Sequence, residues 1–281
     1  NGHIDQRGDG GLGIQAGINN QAGRIQSEGN QWLVSNQRLN NQQGALLSDN
    51  DLWVDSVEGV SNANGLMHGT AALMIASQSD IDNRSGYLRG GELMVVASAL
   101  HNQQGIAVAD ANAYWDLQSA ANDGGLMQAG SLLDLAIANN GAVEGGLVDG
   151  GGHLVLRHEG DYINNAGTTL SSEGSLSLIV TGDVVNHGTI EASGHLISGG
   201  AELVNTGRLN ALVDIVLNFD RIENSGQIQA SGNLHAQSRN LSNTGLLQAN
   251  GSAYLLVEGS LHNTNGLIRA GQDGLIAADT S

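Results

Sequence analysis

Apolar and polar residues alternate by two in short runs along this chain, and the runs return about every twenty residues. After Gly23 the apolar positions are Ile25, Leu33 and Leu39, closed by Asn41. After Gly44 they are Leu46, Leu52, Val54 and Val60, closed by Asn62. As one unit the pattern reads Gly-x-φ-x-(Ala/Ser)-x-x-x-φ-x-φ-x-(Ala/Ser)-x-x-φ-x-Asn, with φ apolar. Anchor glycines carry it from Gly2 through Gly23, Gly44, Gly65 and Gly86, past Gly146, Gly167 and Gly188, to Gly266. Neighbouring anchors stand 19, 20 or 21 residues apart throughout. A period of two predicts strands of about three to five residues with one face buried. The Gly, Asn, Asp and Ser between them are turn formers. Apolar residues at helical spacing are absent. Short strands repeating at a fixed period predict an all-β chain, a parallel β-helix (β-solenoid) of about 14 coils of 19–21 residues. Stacked at about 4.8 Å per coil, it would be a rod of roughly 65 Å.

The period names the neighbours. One interior stack runs Ile4, Ile25, Leu46, Met67 and Leu88, and later Ile190, Leu209, Ile228, Leu247 and Ile268. The corner is built from Asn20 and Gly23, Asn41 and Gly44, Asn62 and Gly65, and Asn83 and Gly86. Asparagine tolerates the left-handed conformation a sharp corner needs, and its amide can bond to the copy above. From Gly188 the corner shortens to Asn-x-Gly at Asn186, Asn205, Asn224 and Asn243. Near Gly146 the corner Asn is replaced, on this reading by Val143, beside a glycine-rich run from Gly145 to Gly152. An irregular coil is expected there.

Composition narrows the function. The chain holds 42 Gly, no Pro and no Cys, and aromatics make up 3% of it. Missing proline fits a fold that uses nearly every backbone N–H in a ladder. Without cysteine there is no disulfide framework and no thiolate metal site. The net charge of −18, with no lysine, makes nucleic acid and anionic membrane surfaces poor partners. No run is long and apolar enough to span a bilayer, and the first residues do not read as a signal peptide. Repetition from end to end, without capping units, predicts one array over residues 1–281, cut from a longer protein.

Strings such as INNQAGRIQSEG, LNNQQGALLSDNDLWV, IENSGQIQASGNL and LSNTGLLQANGSAYL resemble the haemagglutinin repeats of the filamentous haemagglutinin family. These are the secreted partners of two-partner secretion systems, including adhesins, cytolysins and contact-dependent growth inhibition effectors. The resemblance implies a right-handed β-helix and export through a dedicated outer-membrane barrel transporter. It also implies display on a Gram-negative cell as a monomeric rod that extends a distal receptor-binding or toxin region. Neither the family's secretion-domain signature nor its pre-toxin junction is present.

Few residues suggest chemistry. Trp32 and Trp53 share an offset from their glycines, so they stack on adjacent coils, with Met74 next and Tyr114 further along. Alternation puts Leu33, Leu52 and Val54 inside and both indoles outside, where aromatic rows suit a sugar or a protein partner such as a target-cell or host receptor. Arg7, Gly8 and Asp9 spell an integrin-type tripeptide, more simply read as a corner turn. The histidines do not cluster: His153 and His195 share an offset but lie two coils apart, and His153 and His158 flank one strand. Glu28 and Asp49 align on adjacent coils as a solvated turn pair. A β-helix polysaccharide-degrading enzyme would need carboxylates and bases converging in one cleft. The reading is therefore a non-enzymatic rod with no metal or cofactor, a ligand-binding rod second and an enzyme third.

Overall fold

The computed structural model describes residues 2–14, 16–138 and 143–278. Among them the regular elements are 34 strands, most of them short, and no helix. The chain is a right-handed parallel β-helix of about 13 turns, since fourteen anchors enclose thirteen intervals. It divides into two compact units, Asn1–Ile137 with Val143–Leu147, and Ala138–Ala142 with Val148–Ser281.

In the first unit one turn comprises Arg24–Ser27, Gln31–Ser35 and Leu39–Asn40, and each strand pairs in parallel with its copy one turn on. The expected stack is present: Ile4 faces Ile25, Ile25 faces Leu46, Leu46 faces Met67 and Met67 faces Leu88. Past the first turn its members are buried. In the second unit Ile190, Leu209, Ile228, Leu247 and Ile268 align in the same way. Some of the small polar residues inside bond to the previous turn. The buried hydroxyls of Ser27 and Ser48 donate to the carbonyls of Gly8 and Gly29, each at 2.6 Å.

The corner asparagines form a side-chain ladder. In the first unit each amide from Asn20 to Asn102 donates to Oδ1 of the next, ending at Asn122, over 2.7–2.8 Å. In the second the ladder runs Asn164, Asn186, Asn205, Asn224, Asn243 and Asn263 over the same distances. Each amide that donates along the ladder also reaches a backbone carbonyl of the following turn, as Asn41 does with Leu66 at 3.1 Å. The amide dipoles point head to tail, and stacked polar bonds of this kind reinforce one another in a dry interior.

Three corner expectations need correction. The left-handed residue is not the asparagine but the one two positions later: Ala22, Gln43, Asn64, Ser85 and Gln104 have φ between 51° and 56°. The anchor glycine has another role: a Cβ on Gly65 would lie 2.3 Å from the Asn41 carbonyl oxygen and 2.6 Å from Asn62 Oδ1. In the turn assigned to Gly167, Thr169 pairs with Thr189, so Thr168 occupies the anchor place. Gly167 supplies the left-handed step there, with φ of 89°. Finally, Ala120 pairs with Val143 and Ala121 with Glu144, so Gly145, not Val143, stands opposite Asn122. Having no side chain, Gly145 ends the first ladder, and Asn122 donates to the backbone carbonyls of Gly145 and Leu147 instead.

The shortened Asn-x-Gly corners bond differently. In the long corner Gly23 N–H closes on Asn20 of its own turn, whereas Thr206 and Gly207 both donate back to Asn186. One residue is saved without a left-handed step.

Candidate functional site

Most outward positions of the first unit are polar, but the middle strand of each turn is an exception. Trp32 pairs with Trp53, Trp53 with Met74, Met74 with Met94 and Met94 with Tyr114. The five side chains form one outward column, while Leu33, Leu52 and Val54 beside them are buried. Trp32, Trp53 and Met74 are half-buried by their neighbours, and Met94 and Tyr114 are exposed. The Trp32 and Trp53 rings meet at a centroid separation of 4.8 Å and a tilt of 37°. The Trp53 indole N–H donates to the Met74 sulfur, so the polar handle of Trp53 is already engaged.

A groove lies on each side of the methionines. The larger, about 540 Å³, is lined by Met74, Met94, Tyr114 and Ala72, with Asp51 and Glu92 among its walls. The smaller, about 180 Å³, is lined by Trp53, Met74, Met94 and Val96, with Asp55 at its margin. Val34 and Val96 add exposed apolar surface. Every charged residue that lines either groove is a carboxylate.

Met94, the centre of both grooves, is not found by counting from the anchor, because its turn is two residues short and one of the two is lost ahead of it. Gly69 and Ala72 pair with Gly90 and Glu92, so one residue is lost at Gly91. Ala76 pairs with Val96 and Asp80 with Ala99, so the second is lost at the next corner. Alternation would have found it, since its neighbours Leu93 and Val95 are buried. The third tryptophan, Trp115, faces inward and is 2% exposed.

Arg7, Gly8 and Asp9 form the exposed turn between His3–Gln6 and Gly10–Ile14. Asp9 Oδ1 accepts the Asn30 backbone N–H at 2.8 Å, as Asn30 Oδ1 accepts that of Asp51 at 3.3 Å. Asp214 and Asn233 do the same in the second unit, accepting from Asn233 and Ser252. The Asp9 carboxylate is thus one of a recurrent set that caps the entry to the middle strand of the next turn. Glu28 and Asp49 are both exposed on their turns. His153 and His195 are exposed, and His158 is buried with its ring edge-on to Tyr162 at 5.5 Å. Among the described residues no three His, Cys, Asp or Glu side chains converge to hold a metal ion.

Comparison with protein-family models, curated proteins and solved structures finds no match to this chain. The functional reading therefore rests on the repeat geometry and on this column.

Ion pairs lie on another edge. Arg38 reaches Asp80 at 2.6 Å and Arg84 reaches Asp82 at 2.7 Å. Burial pushes the Asp80 carboxyl up, but the Arg38 charge and hydrogen bonds leave it below the ordinary carboxylate value. The Arg84 hydrogen bond holds Asp82 low against burial. The first pair spans two turns and the second stays within one corner, each with an exposed guanidinium and a small energetic gain.

Proposed function

We propose that this chain is a structural segment of a large secreted surface exoprotein, whose work is to hold a distal receptor-binding or toxin region away from the producing cell. The supporting observation is the asparagine ladder, continuous from Asn20 to Asn122 and from Asn164 to Asn263, which sets each turn on the next in the same way. A protein built this way is lengthened by whole turns without redesign. Each turn needs only its predecessor, which suits export through an outer-membrane transporter followed by folding from one end. The repeat strings resembling filamentous haemagglutinins point to a two-partner secretion system and a Gram-negative surface. The test is to duplicate four whole turns, residues 23–104, within the full exoprotein and image an epitope placed beyond them. The expected displacement is about 4.8 Å per added turn with distal activity retained. An unchanged epitope distance, or a catalytic activity that maps to this segment, would overturn the reading.

The outward column favours a second role. Five apolar side chains at the surface of one sheet, flanked by grooves, form a contact surface of the kind partners recognise. On this reading the segment also binds a ligand on a target cell or host. Changing Trp32 and Trp53 to Ala with cell binding unaltered would remove it.

A further inference from the structure

Resting on that second role, we propose that the face from Trp32 to Tyr114 docks a basic amphipathic peptide segment of a partner protein. Three features select this occupant. First, the apolar floor is centred on Met74 and Met94, whose unbranched thioether side chains repack around varied apolar residues. Second, Asp51 and Glu92 line the larger groove and Asp55 the smaller, and no basic side chain lines either. A segment carrying aliphatic residues with Lys or Arg alongside matches both the floor and the charge. Third, the Trp32 and Trp53 faces lean on each other and the Trp53 N–H is held by Met74. Trp53, the indole nearest the grooves, therefore lacks the free donor that sugar stacking uses.

Other occupants fit less well. A second copy meeting the same face would set Asp51, Asp55 and Glu92 against their own equivalents. An anionic lipid surface would meet the same carboxylates.

Isothermal titration of the intact chain tests the proposal. The probe is a Leu/Lys amphipathic peptide of about 20 residues, compared with its Leu/Glu counterpart and with a neutral glucan oligosaccharide. The Leu/Lys peptide should bind and the Leu/Glu peptide should not. Met74→Asn with Met94→Asn, which leaves net charge unaltered, should weaken binding at least tenfold. Asp51→Asn with Glu92→Gln should weaken it comparably and flatten its salt dependence. Ile179→Asn with Leu256→Asn, at exposed apolar positions of the second unit, should leave it unchanged. Circular dichroism and cooperative unfolding establish that each variant is folded. Binding insensitive to the methionine variant would reveal general attraction to an acidic protein and overturn the proposal. Glucan bound through this face in place of the peptide would overturn the partner class while leaving the contact surface standing. No binding by any probe would count against both.

Discussion

The side-chain amide of Asn41 donates to Asn62 Oδ1 at 2.7 Å although the two residues are 21 apart in the chain. Neither side chain is accessible to water. The bond therefore registers one turn on the next, and its loss leaves polar groups that water cannot satisfy.

Asn62→Ala strands one amide hydrogen of Asn41 and the Oδ1 of Asn83. A buried unsatisfied group costs about 1–3 kcal/mol, so the variant should lose about 2–4 kcal/mol in urea unfolding. Asn20→Ala leaves only the Asn41 oxygen without its donor and should cost roughly half as much.

Two glycines should respond in opposite ways to the same pair of substitutions. Gly65→Ala drives a methyl group into the Asn41 carbonyl and the ladder amide; overpacking against backbone should cost about 3 kcal/mol, and Gly65→Asn more. Gly167 has open space around its missing Cβ and needs only its positive φ. Gly167→Ala should cost about 1–2 kcal/mol, and Gly167→Asn less, because Asn enters that region more readily. Thermal or urea denaturation of the four variants checks the contrast.

The Tyr162 ring is fully buried and its hydroxyl has no hydrogen-bond partner among the described residues. Burial pushes the phenol well above its ordinary value. Since the folded state resists ionisation, stability is intact below the unfolded pKa of about 10 and falls as pH rises beyond it toward the folded value. Tyr162→Phe should flatten the alkaline decline and be neutral or stabilising at pH 7. Asp82 works in the other direction. Its lowered value stabilises the fold above the ordinary carboxylate pKa, and that contribution is lost as pH falls through the folded value. Asp82→Asn should flatten the acid limb.

The tryptophans report on orientation. Trp115 points into the core, while Trp32 and Trp53 lie half-buried on the outside. Acrylamide quenching should fall strongly in Trp32→Phe/Trp53→Phe, leaving a blue-shifted emission from Trp115. In Trp115→Phe the remaining emission should be red-shifted and readily quenched.

The interior stacks could be read from periodicity because one aliphatic residue per turn must face the axis, and Ile25, Leu46, Met67 and Leu88 obey this. The corners were harder. Gly65 is glycine for want of room and Gly167 for its backbone angle, and a scan for glycine cannot distinguish the two causes. Thr168 was missed for that reason. Met94 was displaced by the one residue removed at Gly91, where the chain is shortened without disturbing the pairing of the strand that follows. The carboxylates around the grooves become a site only once Asp51, Ala72 and Glu92 are known to be neighbours through three successive turns.

Cysteine cross-linking reads that vertical neighbourhood directly, since the native chain has no thiol. Gln26 pairs with Leu47, and Leu47 with His68, all partly exposed on successive turns. Adjacent parallel strands bring Cα atoms to about 4.8 Å, within disulfide range, and a two-turn separation of about 10 Å lies beyond it. Mild oxidation should cross-link Gln26→Cys/Leu47→Cys quickly and leave Gln26→Cys/His68→Cys reduced. A pair at 26 and 47 that stays reduced, or one at 26 and 68 that closes equally fast, would contradict the solenoid register.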